Sequence, residues 1–306
     1  MPTGGRGCQR TGKEGNAVKA EGYTLEVPGG VLAYDVRGPL RPTDGRRPLL
    51  LIGHPMGASG FDALASNFPD RTVVTYDPRG VERSVVPDAE HTPQLNAEDV
   101  HRVIEAIGTA PVDVFGSSGG AVTGLALVTL HPNDVTILVA HEPPVLEVLP
   151  DAEYARQAFR QVSQDYRQNG FGAGMARFFV LTSTPGEFTP EFLAQSAPDP
   201  AAFGLPTEDD GLRDNPLLSG ASQEVTDFHI DPGALVRAPA TIVIAAGVES
   251  RHQLPGRAAA ELAKLLNTDL VMFPSHHGGF VGGDGGYAGQ PEAFAAKLRD
   301  VLGAVQ

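Results

Sequence analysis

The spacing of hydrophobic and polar positions changes several times along the 306-residue chain. Tyr23–Val27 and Val31–Val36 are short strand-like runs parted by Pro28-Gly29-Gly30, a hairpin signal. Pro48–Gly53 (PLLLIG) is unbroken apolar sequence between turn residues, the pattern of a strand covered on both faces. Strand-like and helix-like runs then alternate. Phe61–Phe68 reads as a short helix and Arg71–Tyr76 as a strand. Leu95–Ile107 is an amphipathic helix, with Val100, Val103, Ile104 and Ile107 on one stripe. Val112–Phe115, Gly120–Leu130 and Val135–Ala140 continue as strand, apolar helix and strand. Such alternation predicts an α/β fold with a mostly parallel, doubly wound sheet.

The alternation stops after Pro143-Pro144. Residues 145–238 read as helical pieces and loops: Ala152–Gln168, Gly172–Leu181 and Pro190–Ala197 as helix, 198–220 as loop rich in Pro, Asp and Gly. The α/β pattern resumes with the strand Ala240–Ala246, a helix near Gly256–Leu266, the strand Asp269–Phe273 and a last helix Pro291–Leu302. The predicted organisation is therefore a core of 21–144 and 239–306 carrying a helical cap of 145–238. Residues 1–20 have no hydrophobic period and read as a disordered leader.

Composition narrows the chemistry. The single Cys, Cys8, rules out an internal disulfide framework and a Cys-cluster metal site. The formal charge is −14, which disfavours nucleic acid as a partner because phosphate binding needs clustered cations. Arg6, Arg10, Lys13 and Lys19 oppose only Glu14 in the leader, so the rest of the chain is more acidic still. That leans toward neutral or apolar small-molecule substrates. The first twenty residues lack the apolar stretch of a secretory signal, and no apolar run of about 18 residues is present. A cytoplasmic protein that does not enter a membrane is expected. Oligomeric state is open.

The most informative segment is Val112–Gly120, VDVFGSSGG. Gly116-Ser117-Ser118-Gly119-Gly120 puts a serine at a tight turn between a strand and a helix. Small residues on either side let the two elements approach, and the helix N-terminus turns free N–H groups toward the serine. Ser118 is the candidate nucleophile, and Ser117 its neighbour facing elsewhere.

Here the chain resembles the α/β-hydrolase superfamily, and other segments agree. Leu51-Ile52-Gly53-His54-Pro55-Met56-Gly57 is similar to the His-Gly loop after that fold's third strand, with Pro55 in place of the usual Gly. Asp77-Pro78-Arg79-Gly80 with Ser84 resembles the turn after the fourth strand, and is read as structural. Phe273–Phe280 (FPSHHGGF) resembles the loop bearing the catalytic histidine. The likeness spans about 21–140 and 239–303. It implies an α/β-hydrolase fold, with no cofactor.

A serine hydroxyl needs an adjacent base. Nine histidines compete. Chain order in the family places the histidine last, and its pattern before Gly and an aromatic favours His277 over His276. His54 is expected to buttress its loop. No H-x-x-x-H or H-E-x-x-H spacing suggests a metal. The acid must orient the imidazole, and two positions offer one. Glu142 follows the strand Val135–Ala140, and Glu249 follows Ala240–Ala246. The usual family acid lies three residues past the strand-ending Gly, here Gly247, where the chain has Ser250. Glu142 resembles the acid of branches with a Glu after the sixth strand, including zearalenone-lactone hydrolases and many haloalkane dehalogenases. Glu142 is preferred, with Glu249 as the alternative.

By the same resemblance the oxyanion hole consists of the N–H groups of Met56 and Gly119. The implied activity is hydrolysis of a carboxylic ester or lactone with an apolar body, through an acyl-enzyme on Ser118. A serine nucleophile disfavours haloalkane dehalogenase and epoxide hydrolase, which use Asp there. Cofactor-free haloperoxidase, carbon–carbon hydrolase and a non-catalytic ligand receptor of the same fold remain alternatives. Phe159, Phe171, Phe178, Phe179, Phe192 and Phe203 could line the entrance, though packing between cap helices is the better expectation for most.

Overall fold

The computed structural model describes residues 19–40, 45–87, 90–221, 223–283 and 287–304. Cys8, nearly all of the leader, and Asp284-Gly285-Gly286 lie outside them.

Eight strands form one sheet in the order β1-β2-β4-β3-β5-β6-β7-β8. The hairpin β1 (Ala20–Val27) and β2 (Gly30–Arg37) is antiparallel, turning where Pro28 and Gly29 stand in the sequence. Strand β1 begins one residue inside the segment read as leader. β2 also runs antiparallel to β4 (Val73–Tyr76). The remaining pairs are parallel: β3 (Leu49–Ile52), β4, β5 (Val112–Ser117), β6 (Val135–His141), β7 (Thr241–Gly247) and β8 (Leu270–Phe273). Parallel strands require crossovers, and helices supply them. In chain order these are α1 (Asp62–Ser66), α2 (Pro93–Ile107) and α3 (Gly119–Leu130).

The sheet is buried on both faces, which is why its strands read as apolar runs rather than alternating ones. Leu50, Ile52, Val114 and Leu138 face α2 and α3, joining Val100, Val103, Ile104 and Leu125. Their neighbours Leu49, Leu51, Phe115 and Val139 face the opposite layer with Phe61, Leu64 and Phe294. Helix α2 carries its own punctuation. The Thr92 hydroxyl accepts from Leu95 N–H at its start, Pro93 stands at the first turn, and Gly108 closes it at φ 65°.

Between β6 and β7 the chain builds the helical insertion. It contains α4 (Ala152–Ser183), α5 (Pro190–Leu193), α6 (Gln223–Thr226) and α7 (Pro232–Arg237). The two helices expected over 152–168 and 172–181 form the single run α4, broken at Gly170 (φ 84°, ψ −171°). A side chain at Gly170 would press on Asp209. The insertion has its own small core of Ala155, Val162, Tyr166, Leu181 and Phe188. Leu254 and Ala258 of α8 (Leu254–Leu265) reach into that core and join it to the sheet. Helix α9 (Pro291–Ala304) closes the fold.

The Asp-Pro-Arg-Gly turn after β4 is a structural knot. Asp77 Oδ1 accepts from Ala58 N–H (2.8 Å), and Oδ2 accepts from Arg83 Nε (2.7 Å). Ser84 Oγ donates to the Asp77 carbonyl (2.6 Å) and accepts from Ala33 N–H (2.9 Å). Arg79 forks onto buried Asp99 of α2 at 2.5 and 2.8 Å. Removing one partner of a buried ion pair strands the other, at about 3–5 kcal/mol. Arg79→Met is therefore expected to lose about 3 kcal/mol in urea unfolding, the lower figure because Arg102 also reaches Asp99 (3.3 Å). A loss below ~1 kcal/mol would show that the pair does not hold this turn.

Candidate active site

Strands β5, β6 and β8 end on the same edge of the sheet, and each is followed by a residue in the left-handed region. These are Ser118 (φ 54°), Glu142 (φ 51°) and Ser275 (φ 68°). Non-glycine residues there cost about 1–3 kcal/mol each and tend to gather at functional sites. At Ser118 the surroundings enforce the conformation. A Cβ on Gly116 would lie 2.6 Å from the Gly120 carbonyl oxygen, and one on Gly120 would lie 2.2 Å from that of Ile52. Only glycine lets β5, α3 and the end of β3 come this close. Ser118 N–H donates to the His141 carbonyl (3.0 Å), and α3 starts at Gly119 with no side chain capping it. Its first N–H groups thus remain donors beside the serine. Ser117 is buried, with Oγ 3.4 Å from His141 Nδ1.

The Glu142 carboxylate is fully buried. Its Oε2 lies 2.5 Å from His277 Nδ1. Oε1 accepts from Gly247 N–H (2.9 Å) and Ser250 Oγ (2.6 Å). Burial alone would push this carboxyl's pKa up. The hydrogen bond and charge of His277, the charge of His141 and the Ser250 hydroxyl outweigh burial and hold it at about 2. An ionised carboxylate makes Nδ1 the protonated nitrogen of His277 and leaves Nε2 to accept a proton. Glu249 is exposed, and its N–H donates to the Ser275 carbonyl (3.0 Å). Ser250, at the family's usual acid position, instead donates to Glu142. The missing Asp was visible in the sequence, but the new job of Ser250 was not.

His276 points its ring at backbone. Its Nδ1 accepts from Gly278 N–H (3.1 Å), Nε2 lies 3.4 Å from the Ala288 carbonyl, and the ring packs on Tyr287. His54 pairs with His91 across 3.2 Å. Burial, aided by His91, holds the His54 pKa down at about 3, so it is neutral. His141 sits among Phe115, Phe273, Phe280 and Phe294. Burial lowers its pKa to about 4, and among the described residues its Nε2 has no hydrogen-bond partner. The roles of His91 and His141 escaped sequence reasoning because they depend on contacts across loops and layers.

Ser118, Gly119 and His277 open onto one cavity of about 1030 Å³, with His54 and Pro55 on the same wall. Met56 is not among the residues lining it; its side chain packs toward the core layer that contains Phe61. The insertion forms the opposite wall. Phe192 and Phe171 pack within the cap, whereas Phe159, Phe178, Phe179 and Phe203 line the cavity. More of the aromatic set faces the cavity than the sequence suggested, because the two segments of α4 fold across the sheet edge.

Away from the cavity, His101, His131 and Asp134 bring ligand atoms within 4.8 Å of one another. Their positions in sequence are too far apart to announce this. The two rings are stacked at 3.8 Å with 6° between planes, so one ion cannot lie in both ring planes unless a ring tilts. As they stand, His101 pairs with Asp134 (2.6 Å) and His131 with Glu98 (2.9 Å).

Comparison with known proteins agrees with the fold. Residues 48–246 match the family described as alpha/beta hydrolase fold, and the chain belongs to it. The Bacillus subtilis (strain 168) protein named "Uncharacterized hydrolase YraK" is 30% identical over 286 residues, covering 91% of this chain and 95% of that protein. Among solved structures, a thermophilic esterase from Thermogutta terrifontis superposes with TM-score 0.63 at 17% identity, covering 94% of this chain and 99% of its own. The enol-lactonase from Burkholderia xenovorans LB400 superposes with TM-score 0.60 at 18% identity, covering 92% and 100%. At such identities the structural likeness is one of fold. Among the described residues no helix is long and apolar enough to cross a membrane.

The buried neutral His141 makes stability depend on pH. Its pKa is about 4 in the folded protein against 6.5 unfolded. A lowered folded pKa means that the unfolded chain binds the extra proton, so stability is full above 6.5 and falls as pH drops toward 4. Urea unfolding between pH 6.5 and 4 is expected to show a slope shallower by about one proton in His141→Phe than in wild type. Equal slopes would show that this imidazole is not held neutral.

Proposed function

We propose that the protein is a serine hydrolase acting on a carboxylic ester or lactone, with Ser118 as nucleophile, His277 as base and Glu142 as acid. The observation that carries the reading is the 2.5 Å contact between His277 Nδ1 and buried Glu142, beside a serine held at a strained turn on the same cavity. Ser118 Oγ attacks the acyl carbonyl carbon while His277 Nε2 takes its proton. Negative charge gathers on the carbonyl oxygen, where the Gly119 N–H at the start of α3 meets it; Met56, the second donor implied by the resemblance, does not line the cavity. The intermediate collapses, the ester C–O bond breaks, and His277 returns the proton to the leaving alkoxide. Water, deprotonated by His277, then attacks the acyl-enzyme and releases the acid and free Ser118. Glu142 holds the imidazole in the tautomer each step needs and balances its positive charge.

On the same reading, residues 145–238 are the lid and 21–144 with 239–306 the catalytic core. The esterase and lactonase activities named for the two structural relatives are compatible with it.

Steady-state hydrolysis of p-nitrophenyl butyrate tests the assignment. Ser118→Ala and His277→Ala are expected to lose at least ~10³ in kcat, and a fluorophosphonate should label wild type at Ser118 only. Glu142→Ala should fall by orders of magnitude while Glu249→Ala stays near wild type. The reverse pattern would transfer the acid's role to Glu249. A wild type that neither turns over short esters nor takes the label would end the hydrolase reading.

A further inference from the structure

The wall of the cavity opposite Ser118 has an unusual chemical poverty. Among the described residues that line it there is no Asp, Glu, Lys or Arg. Three hydroxyls are present on that side, and all three are committed to helix backbone. Thr182 Oγ1 donates to the Phe178 carbonyl (2.9 Å), Ser183 Oγ to that of Phe179 (2.6 Å), and Thr226 Oγ1 to that of Gln223 (3.1 Å). None has a proton left to offer a ligand. On the cap side what remains is hydrocarbon: Phe159, Met175, Phe178, Phe179, Phe203 and Leu217. The other polar side chains of the lining, Gln253, His276 and Tyr287, lie outside the cap with His54, Ser118 and His277.

Size points the same way. At about 1030 Å³ the cavity stands at the upper end of the range for drug-sized ligands, roughly 300–1000 Å³. An acetyl or ethyl group would leave most of it unfilled. Phe179 and Phe203 are 39% and 41% exposed, their ring centroids 6.1 Å apart, and both line the cavity. They stand where the cavity meets solvent, so an apolar chain entering between them is covered before it reaches Ser118.

From these observations we infer that the cavity selects a bulky, uncharged acyl or alcohol group and rejects one that carries an anion. This rests on the hydrolase reading for its chemistry but not for its binding preference. An anionic tail would give up its hydration and meet neither a cation nor a free hydroxyl donor on the cap side. An alkyl tail would gain about fourfold per buried methylene, the ratio that corresponds to ~0.8 kcal/mol.

The test uses two ester series on the full-length protein. One lengthens the acyl chain of p-nitrophenyl esters from acetate to hexanoate, and the other lengthens the alcohol of acetates from ethyl to hexyl. At least one series should rise tenfold or more in kcat/KM. Mono-p-nitrophenyl adipate, which adds a terminal carboxylate to the hexanoate frame, should fall at least thirtyfold below p-nitrophenyl hexanoate. Phe203→Ser should raise KM for the longest member of the rising series by a larger factor than for its shortest member. Two flat series, or adipate matching hexanoate, would overturn the inference and leave the hydrolase reading standing. Calorimetric titration of the Ser118→Ala protein with the same hexanoate and adipate esters separates the two further. Tighter binding of hexanoate in a protein whose wild type turns over no ester of either series and takes no fluorophosphonate label would sustain the binding preference and end the hydrolase reading. Equal binding of both would overturn the preference whatever the wild type does.

Discussion

A carboxylate with no access to water ties together the ends of three strands. Glu142 leaves β6, accepts from Gly247 at the end of β7, takes the Ser250 hydroxyl from the loop beyond, and meets His277 after β8. Its own N–H donates to Ala245 of β7 (2.9 Å). Burying such a charge is costly unless every acceptor site is answered. Here both oxygens are answered, by donors from two parts of the chain: Gly247 and Ser250 after β7, and His277 after β8. The edge of the sheet that carries the cavity is thus assembled around one ion. Its geometry holds only if β6, β7 and β8 are in register.

The sheet makes that register robust. Strands β3, β5 and β6 are buried on both faces, so slipping any of them by one residue would exchange two packed layers at once. The same close packing forces the turn at Ser118. Gly116 and Gly120 let β5 and α3 approach until no Cβ would fit, and the serine between them takes up the strain. The nucleophile candidate and the ionised carboxylate therefore depend on one feature, a sheet edge rigid enough to hold unfavourable local states.

The insertion works by different physics. Its core is small, and it meets the sheet largely through Leu254 and Ala258 of α8. Its contribution to the cavity is a surface of aromatic and aliphatic side chains with its hydroxyls turned back onto helix backbone. The sheet edge thus supplies the polar groups at Ser118 and the insertion supplies the apolar volume.

Much of this was legible along the chain. Apolar runs of strand length marked the sheet, because burial on both faces leaves no polar alternation. The Gly-Ser-Ser-Gly-Gly turn marked Ser118, because close approach of backbone admits few residue types. Ser250 in place of an acid turned attention to Glu142. The partners of those residues were not legible. That Ser250 would bond to Glu142, that His276 would be taken up by backbone while His277 reached the carboxylate, and that His91 would meet His54 all depend on loops whose paths are set by packing. Phe159, Phe178 and Phe179, which line the cavity from α4, could not be told from their buried neighbours, since that helix offers both faces to apolar surroundings. Periodicity and turn chemistry are local, and the chain states them directly. Contacts between residues a hundred positions apart exist only once the layers have closed around them.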